Sequence, residues 1–297
     1  MIKINYYHSL IFFNLCIFLS AFEYLRNNSL LIISLLLILS IGISHGSLDH
    51  IKGKKLLKIL GFTSSFVFYF GYIFVGLMVI LIWLFFPKFL LFSFLIVASF
   101  HFGKEDCQFM KNNKNLELLY FFKGLLIIIS PLLFHQEETI IIFQALNFDI
   151  SKNIFINYII LYFFLFLSFV SHIILSMHKT FEEKSLLLMD FLSIIILNYF
   201  LNPVLAFTFY FCFLHSIRHS ISLIREINTN LKKGFPIFIK KALPLTIITI
   251  LGYILAIYIL NNYNGINETI YKVIFIGLAS LTFPHILLEY LIEKNEQ

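Results

Sequence analysis

The sequence predicts an all-α fold: a polytopic transmembrane helical bundle of about ten spans, both termini cytoplasmic, built as one domain over 1–297. Three observations carry this reading. Hydrophobic residues make up 60% of the chain and charged residues only 13%, where a soluble domain has roughly 25% charged. Apolar runs close to the ~20 residues that a helix needs to cross a bilayer recur from end to end. Lysine and arginine gather in alternate loops between those runs. The formal charge of +6 does not point to a nucleic-acid partner, because the basic residues sit in short loops.

Taken in order, the first run, 7–25, follows Lys3 and mimics a signal peptide. It lacks a convincing small-residue cleavage site and more spans follow, so it reads as the first membrane helix. The others lie near 29–50, 63–86, 88–103, 116–134, 154–177, 185–201, 203–222, 240–261 and 268–292; the fourth and seventh are short. The run 138–147 reads as a half-helix or a surface helix. Pro87, Pro131, Pro203 and Pro244 fall near span ends, where proline is tolerated. Loops on one side carry 14 Lys and Arg, those on the other only Arg26, Lys88 and Lys152. The richer side is expected to be cytoplasmic. Cys16, Cys107 and Cys212 are too dispersed for a disulfide framework or a zinc ribbon, and Cys212, near His215, reads as packing.

The histidines share a layer. His45 lies near the cytoplasmic end of the second span and His101 near that of the fourth. His215 and His219 lie near that of the eighth, and His285 two turns from that of the last. Ionisable groups inside spans usually face the bundle interior and mark function. His215 and His219 are i and i+4, a spacing that lets two side chains chelate one ion. Asp49 follows His45 at the same spacing, and Glu289 follows His285. A carboxylate there can accept the second N–H of a metal-bound ring. Gly46 and Gly103 beside candidate ligands would allow close approach. Several imidazoles without a thiolate suit Fe(II) better than Cu or Zn. A lipid-embedded site of this kind suggests oxygen chemistry on a lipophilic substrate. Asp106 reads equally as an outer partner or a solvated loop acid. Arg218 is expected at a lipid phosphate or a carboxylate, and Asp190 needs a partner that the sequence does not name. His135 lies at the opposite face and reads as structural. His8, His172 and His178 belong to no motif.

The stretches GISHGSLDH (42–50), SFHFGKED (99–106), GLLIIISPLLFHQEE (124–138), FTFYFCFLHSIRH (207–219) and FPHILLEY (283–290) together resemble the Brp/Blh family of bacterial and archaeal β-carotene 15,15′-dioxygenases. The resemblance implies a multi-pass protein of the cell membrane that uses Fe(2+) and O2 to split β-carotene at its central double bond. Both oxygen atoms end in two all-trans-retinal molecules, available to a microbial rhodopsin. It also implies iron ligands at His45, His101, His215 and His219; the residue pattern itself adds Asp49, Asp106, His285 and Glu289 around them. His50 after Asp49 is found in only some members. Gln136 stands where members often have proline.

Three other readings are weighed. A membrane hydroxylase or desaturase also uses histidine boxes, but with adjacent histidines that this chain lacks. A haem protein could use His215 or His219 as an axial ligand. A non-enzymatic carotenoid carrier would leave the histidine layer unexplained.

Overall fold

The computed structural model describes residues 2–22, 24–25, 30–62, 64–108, 116–148 and 157–296, without the side chains of His45 and Glu296. The described residues are helical, with no strand among them. The helices are α1 (Ile2–Ser20), α2 (Leu31–Ile59), α3 (Phe66–Phe85), α4 (Pro87–Glu105), α5 (Glu117–Phe134) and α6 (Gln136–Ala145). They continue with α7 (Tyr158–Ser176), α8 (Phe181–Phe200), α9 (Pro203–Ile227), α10 (Leu231–Leu260) and α11 (Ile266–Glu296). Helix α6 accounts for the run at 138–147. Arg26, Lys111, Lys114 and Lys152, which entered the loop bias, lie outside the described residues.

By length and composition, eight helices could cross a membrane: α1, α2, α3, α5, α7, α9, α10 and α11. The other two expected spans, α4 and α8, are as long but more polar. Helix α4 carries Lys88, Lys104 and Glu105, and α8 carries Glu182, Glu183, Lys184 and Asp190. Several of these polar groups are buried, Glu105, Glu183 and Asp190 among them.

The surface is inverted relative to a water-soluble protein. Phe66, Phe70, Leu84 and Phe85 of α3 are exposed, as are Ile248, Leu251, Leu255 and Tyr258 of α10, while Asp49, Asp106, Lys123 and Arg218 are buried. Apolar belts outside, with the charged groups kept among the apolar side chains of the interior, are what a lipid solvent selects.

Side-chain caps set several helix starts. Asn157 accepts from the Ile159 amide at α7, and Thr180 and Glu183 form a reciprocal capping box at α8. Asn202 caps α9 just before Pro203. Asn230 accepts from the Lys232 amide, so α10 starts at Leu231, well before the apolar run at 240. The expectation that Pro244 lies near a span end is thereby corrected. It sits inside α10, as does Pro236.

Two helices are irregular where the histidines are. Helix α2 widens to π winding over Ile38–Gly42, tightens to 3₁₀ over Ile43–Leu48 and resumes as α at Asp49. Helix α9 is π-wound over Tyr210–Ser216. Such turns are uncommon and concentrate at functional sites. The two irregular segments meet at Gly42, where a Cβ would lie 2.6 Å from Phe211 Cε1. Ser216 Oγ donates to the Gly42 carbonyl at 3.3 Å.

Helices α4 and α5 make the closest backbone approach. A Cβ on Gly103 would run into the Tyr120 carbonyl oxygen, and one on Gly124 into the Ser99 carbonyl oxygen. Small residues at this spacing let membrane helices touch backbone to backbone. At Gly46 no helix approaches that closely among the described residues: the nearest atom to a Cβ there is Asp49 Oδ2, at an ordinary 3.7 Å. In α11, Pro284 has no N–H to offer the Ser280 carbonyl. Gly76 of α3 packs onto that oxygen, with a Cβ position 3.0 Å away.

Gly103→Ala and Gly124→Ala should therefore force α4 and α5 apart and lower the thermal unfolding midpoint in detergent. Gly252→Ala meets nothing within 4 Å and should be neutral or slightly stabilising, since alanine is favoured in a helix by about 1 kcal/mol.

Candidate metal centre

The structure gathers histidines from α4, α9 and α11 in the bundle interior. His101, His215, His219 and His285 are all buried, at 5%, 1%, 3% and 2% exposure. Their rings form a chain of edge contacts. His215 lies 5.4 Å from His101, His101 5.4 Å from His285, and His285 5.8 Å from His219, between centroids. His45 lies on α2, but its side chain is outside the described residues.

Three of these rings are backed by carboxylates. His215 Nδ1 lies 3.0 Å from Asp106 Oδ1. His285 Nδ1 lies 3.0 and 2.8 Å from the two oxygens of Asp49. His219 Nδ1 pairs with Glu105 Oε1. An ionised carboxylate only accepts, so each Nδ1 carries the proton. In the neutral ring the lone pair is then on Nε2, the tautomer that a metal requires.

The carboxylates are themselves fixed. Tyr72 donates its hydroxyl to Asp49 Oδ2 at 2.8 Å. Tyr210 donates to Asp106 Oδ2 at 2.8 Å, and Lys123 Nζ stands 3.7 Å from the same oxygen. Asp106 lies just past the end of α4. Burial raises its pKa, but Lys123, the His215 hydrogen bond and Arg218 outweigh that and hold it below the ordinary carboxylate range. The backbone carbonyl of Asp106 accepts from Arg218 Nη1 at 3.1 Å.

Arg218 finds its carboxylate in Asp190, and Asp190 its partner in Arg218. The guanidinium is bidentate, at 2.7 and 3.0 Å. Ser9 of α1 accepts from Arg218 Nη2 at 2.7 Å and donates to Asp190 at 2.8 Å. This buried knot ties α1, α8 and α9 to the loop that carries Asp106.

Asp49, Asp106 and Glu289 thus stand around the histidines; the pairing of Asp49 with His45 that spacing suggested falls on a side chain outside the described residues. Asp49 serves His285 on α11, 236 positions away. Its short side chain is turned across the helix interface. Glu289 Oε1 does lie near its own i−4 ring, 3.8 Å from His285 Nε2, but its close contact is Lys52 Nζ at 3.1 Å. His285 shares the cluster with the other rings. Glu105 escaped the sequence reading, although it stands at i+4 from His101 in the manner of Asp49 and His45. Lys123 was also legible, as a lone lysine inside an apolar run. Nothing in the sequence singles out Tyr72 or Tyr210.

The remaining histidines have local roles. His8 Nε2 lies 2.8 Å from the Phe213 carbonyl and His172 Nδ1 2.9 Å from that of Ser168. His135 joins α5 to α6 and accepts the Thr139 hydroxyl on its backbone carbonyl at 2.7 Å.

Two sets of donors lie close enough to grip an ion. His101, His285 and Glu289 place one donor atom each within 4.8 Å of one another, as do Glu105, His219 and Glu289. Donors sharing an ion lie up to about 4.2 Å apart, twice a metal–nitrogen bond of ~2.1 Å, so each set needs at most a small contraction to close on one ion; His215 belongs to neither set. His101 Nε2 is buried and has no hydrogen-bond partner among the described residues. Such a group is costly unless a ligand meets it. The residues fit a metal.

The fold and site thus define a multi-helix membrane protein with a buried histidine–carboxylate centre. The chain belongs to the β-carotene 15,15′-dioxygenase family, whose sequence model matches residues 36–293. A β-carotene 15,15′-dioxygenase of uncultured marine bacterium 66A03 is 27% identical over 263 residues, covering 86% of this chain and 91% of that protein. No solved structure matches.

Removing one partner of a buried ion pair costs about 3–5 kcal/mol. Asp190→Ala should therefore lower the thermal midpoint in detergent sharply. Asp190→Ala combined with Arg218→Met should recover part of that loss, because no charge is then left buried.

Proposed function

We propose that this chain is an iron-dependent membrane dioxygenase that cleaves β-carotene at its 15,15′ double bond with O2, giving two all-trans-retinal. Family membership supports the substrate and the bond. The observation that carries the metal is the set of imidazoles backed by Asp49, Glu105 and Asp106, beside a His101 nitrogen with no hydrogen-bond partner among the described residues. The donors are His101, His215 and His219 with His285 beside them. His45 is retained as a donor on sequence grounds. An all-imidazole set without thiolate suits Fe(2+). Iron, when bound, supplies the O2 chemistry that no side chain here possesses.

The chain's own residues aim and shield. Asp49, Glu105 and Asp106 fix each ring's tautomer and direction. Tyr72, Tyr210, Lys123 and Arg218 hold the carboxylates. Phe102 packs edge-on to His215 at 4.9 Å and Phe211 lies flat against it at 5.8 Å. Phe207 stacks on Phe211. This aromatic flank excludes water and offers a polyene its apolar approach. β-Carotene enters sideways from the lipid, so the long hydrocarbon never passes through water. Retinal leaves the same way, available to a microbial rhodopsin.

On this reading the whole chain, 1–297, acts as a single domain in the cell membrane. It crosses ten times, with α4 and α8 shielded by their neighbours, and both termini are cytoplasmic.

In β-carotene-producing cells, the protein should bleach the carotenoid and yield retinal as the one C20 product. His215→Ala and His219→Ala should abolish turnover, and added Fe(II) should not restore it. Asp49→Ala should cost about 10–100-fold and be partly rescued by Fe(II), because the ring it orients remains. His178 sits in a turn at φ 57° outside the cluster. His178→Asn, which tolerates that backbone, should match the wild type. Intact β-carotene in the presence of iron and wild-type protein would end the dioxygenase reading.

Topology is tested separately. A C-terminal reporter active in the cytoplasm is the expected result, and one active only outside would reverse the orientation.

A further inference from the structure

Glu289 stands one turn beyond His285, where the two donor groups of the cluster overlap. Its carboxylate belongs both with His101 and His285 and with Glu105 and His219. His101, 95% buried by its 5% exposure, has an Nε2 without a hydrogen-bond partner among the described residues, and one of its ring nitrogens lies within 4.8 Å of the donors of His285 and Glu289. Glu289 Oε1 is held on its other side by Lys52 Nζ at 3.1 Å. The same oxygen is 3.8 Å from His285 Nε2. One carboxylate oxygen therefore lies between a cation and the histidine cluster. It is also on the more open flank, since the Glu289 side chain is 19% exposed while that of His285 is 3% exposed.

We propose that Glu289 is itself a donor to the metal, closing the centre on its exposed flank, and that Lys52 is the rival cation that holds the carboxylate when no metal is bound. This rests on the reading of the cluster as a metal centre. It moves Glu289 from an outer partner of His285 to the ion itself. The chemistry favours it. Imidazoles joined by a carboxylate are a combination of donors that serves Fe(II) oxygenases. An anionic donor also offsets part of the charge of a divalent ion buried in a low-dielectric interior. Lys52 then sets the affinity, because every ion bound must first take Glu289 from it.

The test uses the full-length protein in detergent, stripped with a chelator and titrated with Co(II), whose visible absorption reports the donor set. Glu289→Gln should weaken Co(II) binding by about 10–100-fold and shift the visible bands. Lys52→Met should tighten binding several-fold in the wild-type background and do nothing in the Glu289→Gln background. Glu293→Gln, one turn further along and paired with Lys104, should change neither affinity nor spectrum. Thermal unfolding of the stripped variants shows that each is folded. Visible bands superimposable on the wild type in Glu289→Gln, even with weaker binding, would overturn the proposal and return Glu289 to an outer role. So would a Lys52→Met effect that survives in the Glu289→Gln background. Failure of the wild type to take up Co(II) or Fe(II) would overturn the metal-centre reading itself, and is seen without any variant.

Discussion

Everything at this centre depends on carboxylates that would be too costly to bury alone. An ionised acid in a lipid-embedded bundle loses several kcal/mol of hydration. Asp49, Glu105 and Asp106 recover it by pairing with imidazole N–H groups from other helices. The pairing works in both directions. The ring compensates the acid, and the acid fixes which ring nitrogen holds a lone pair. Because each pair bridges two helices, the same contacts also set the helix register. Tertiary packing and site electrostatics are here one set of interactions.

The bundle makes room for these pairs by unusual means. Glycines at 103 and 124 bring α4 and α5 into backbone contact, and Lys123 of α5 reaches Asp106 at the end of α4. The wide-wound segment of α9 carries His215, and the following α turn carries Arg218 and His219. One short stretch thus supplies two rings to the cluster and a guanidinium to the Asp190 knot. A straight α-helix with the same residues would direct them differently.

Much of this was legible in sequence, for definite reasons. Ten apolar runs are a composition signal that survives loss of every contact, and each coincides with a long helix. Starts were read late where polar caps lead the helix, as Asn230 does for α10 and Thr180 with Glu183 for α8. The chemistry-bearing residues declared themselves because polar groups in lipid are expensive, which singled out His101, His215, His219, His285, Asp49 and Asp190. Their pairing did not. Spacing along one helix suggested that Asp49 would serve His45, whose side chain is outside the described residues, and gave no sign that it also meets His285. Partners 236 positions apart leave no local trace in one chain, and neither do the tyrosines that complete the network. Glu105 shows the opposite failure: its spacing signal was present, next to an Asp106 that drew the attention.

The histidine–carboxylate cluster is also spread along the order of synthesis. Its parts lie on α2, α4, α9 and α11, from Asp49 to Glu289. In a chain threaded into the bilayer from its N-terminus, α4 and α5 can dock as soon as both have left the ribosome. The acids of α2 and α4 then wait in the membrane without the rings they will serve. His285 and Glu289 arrive with α11, so the cluster closes only once α11 has been made. Until then the acids and rings of α2, α4 and α9 lack the partners that α11 brings. Insertion order thereby keeps the cluster open until α11 joins them.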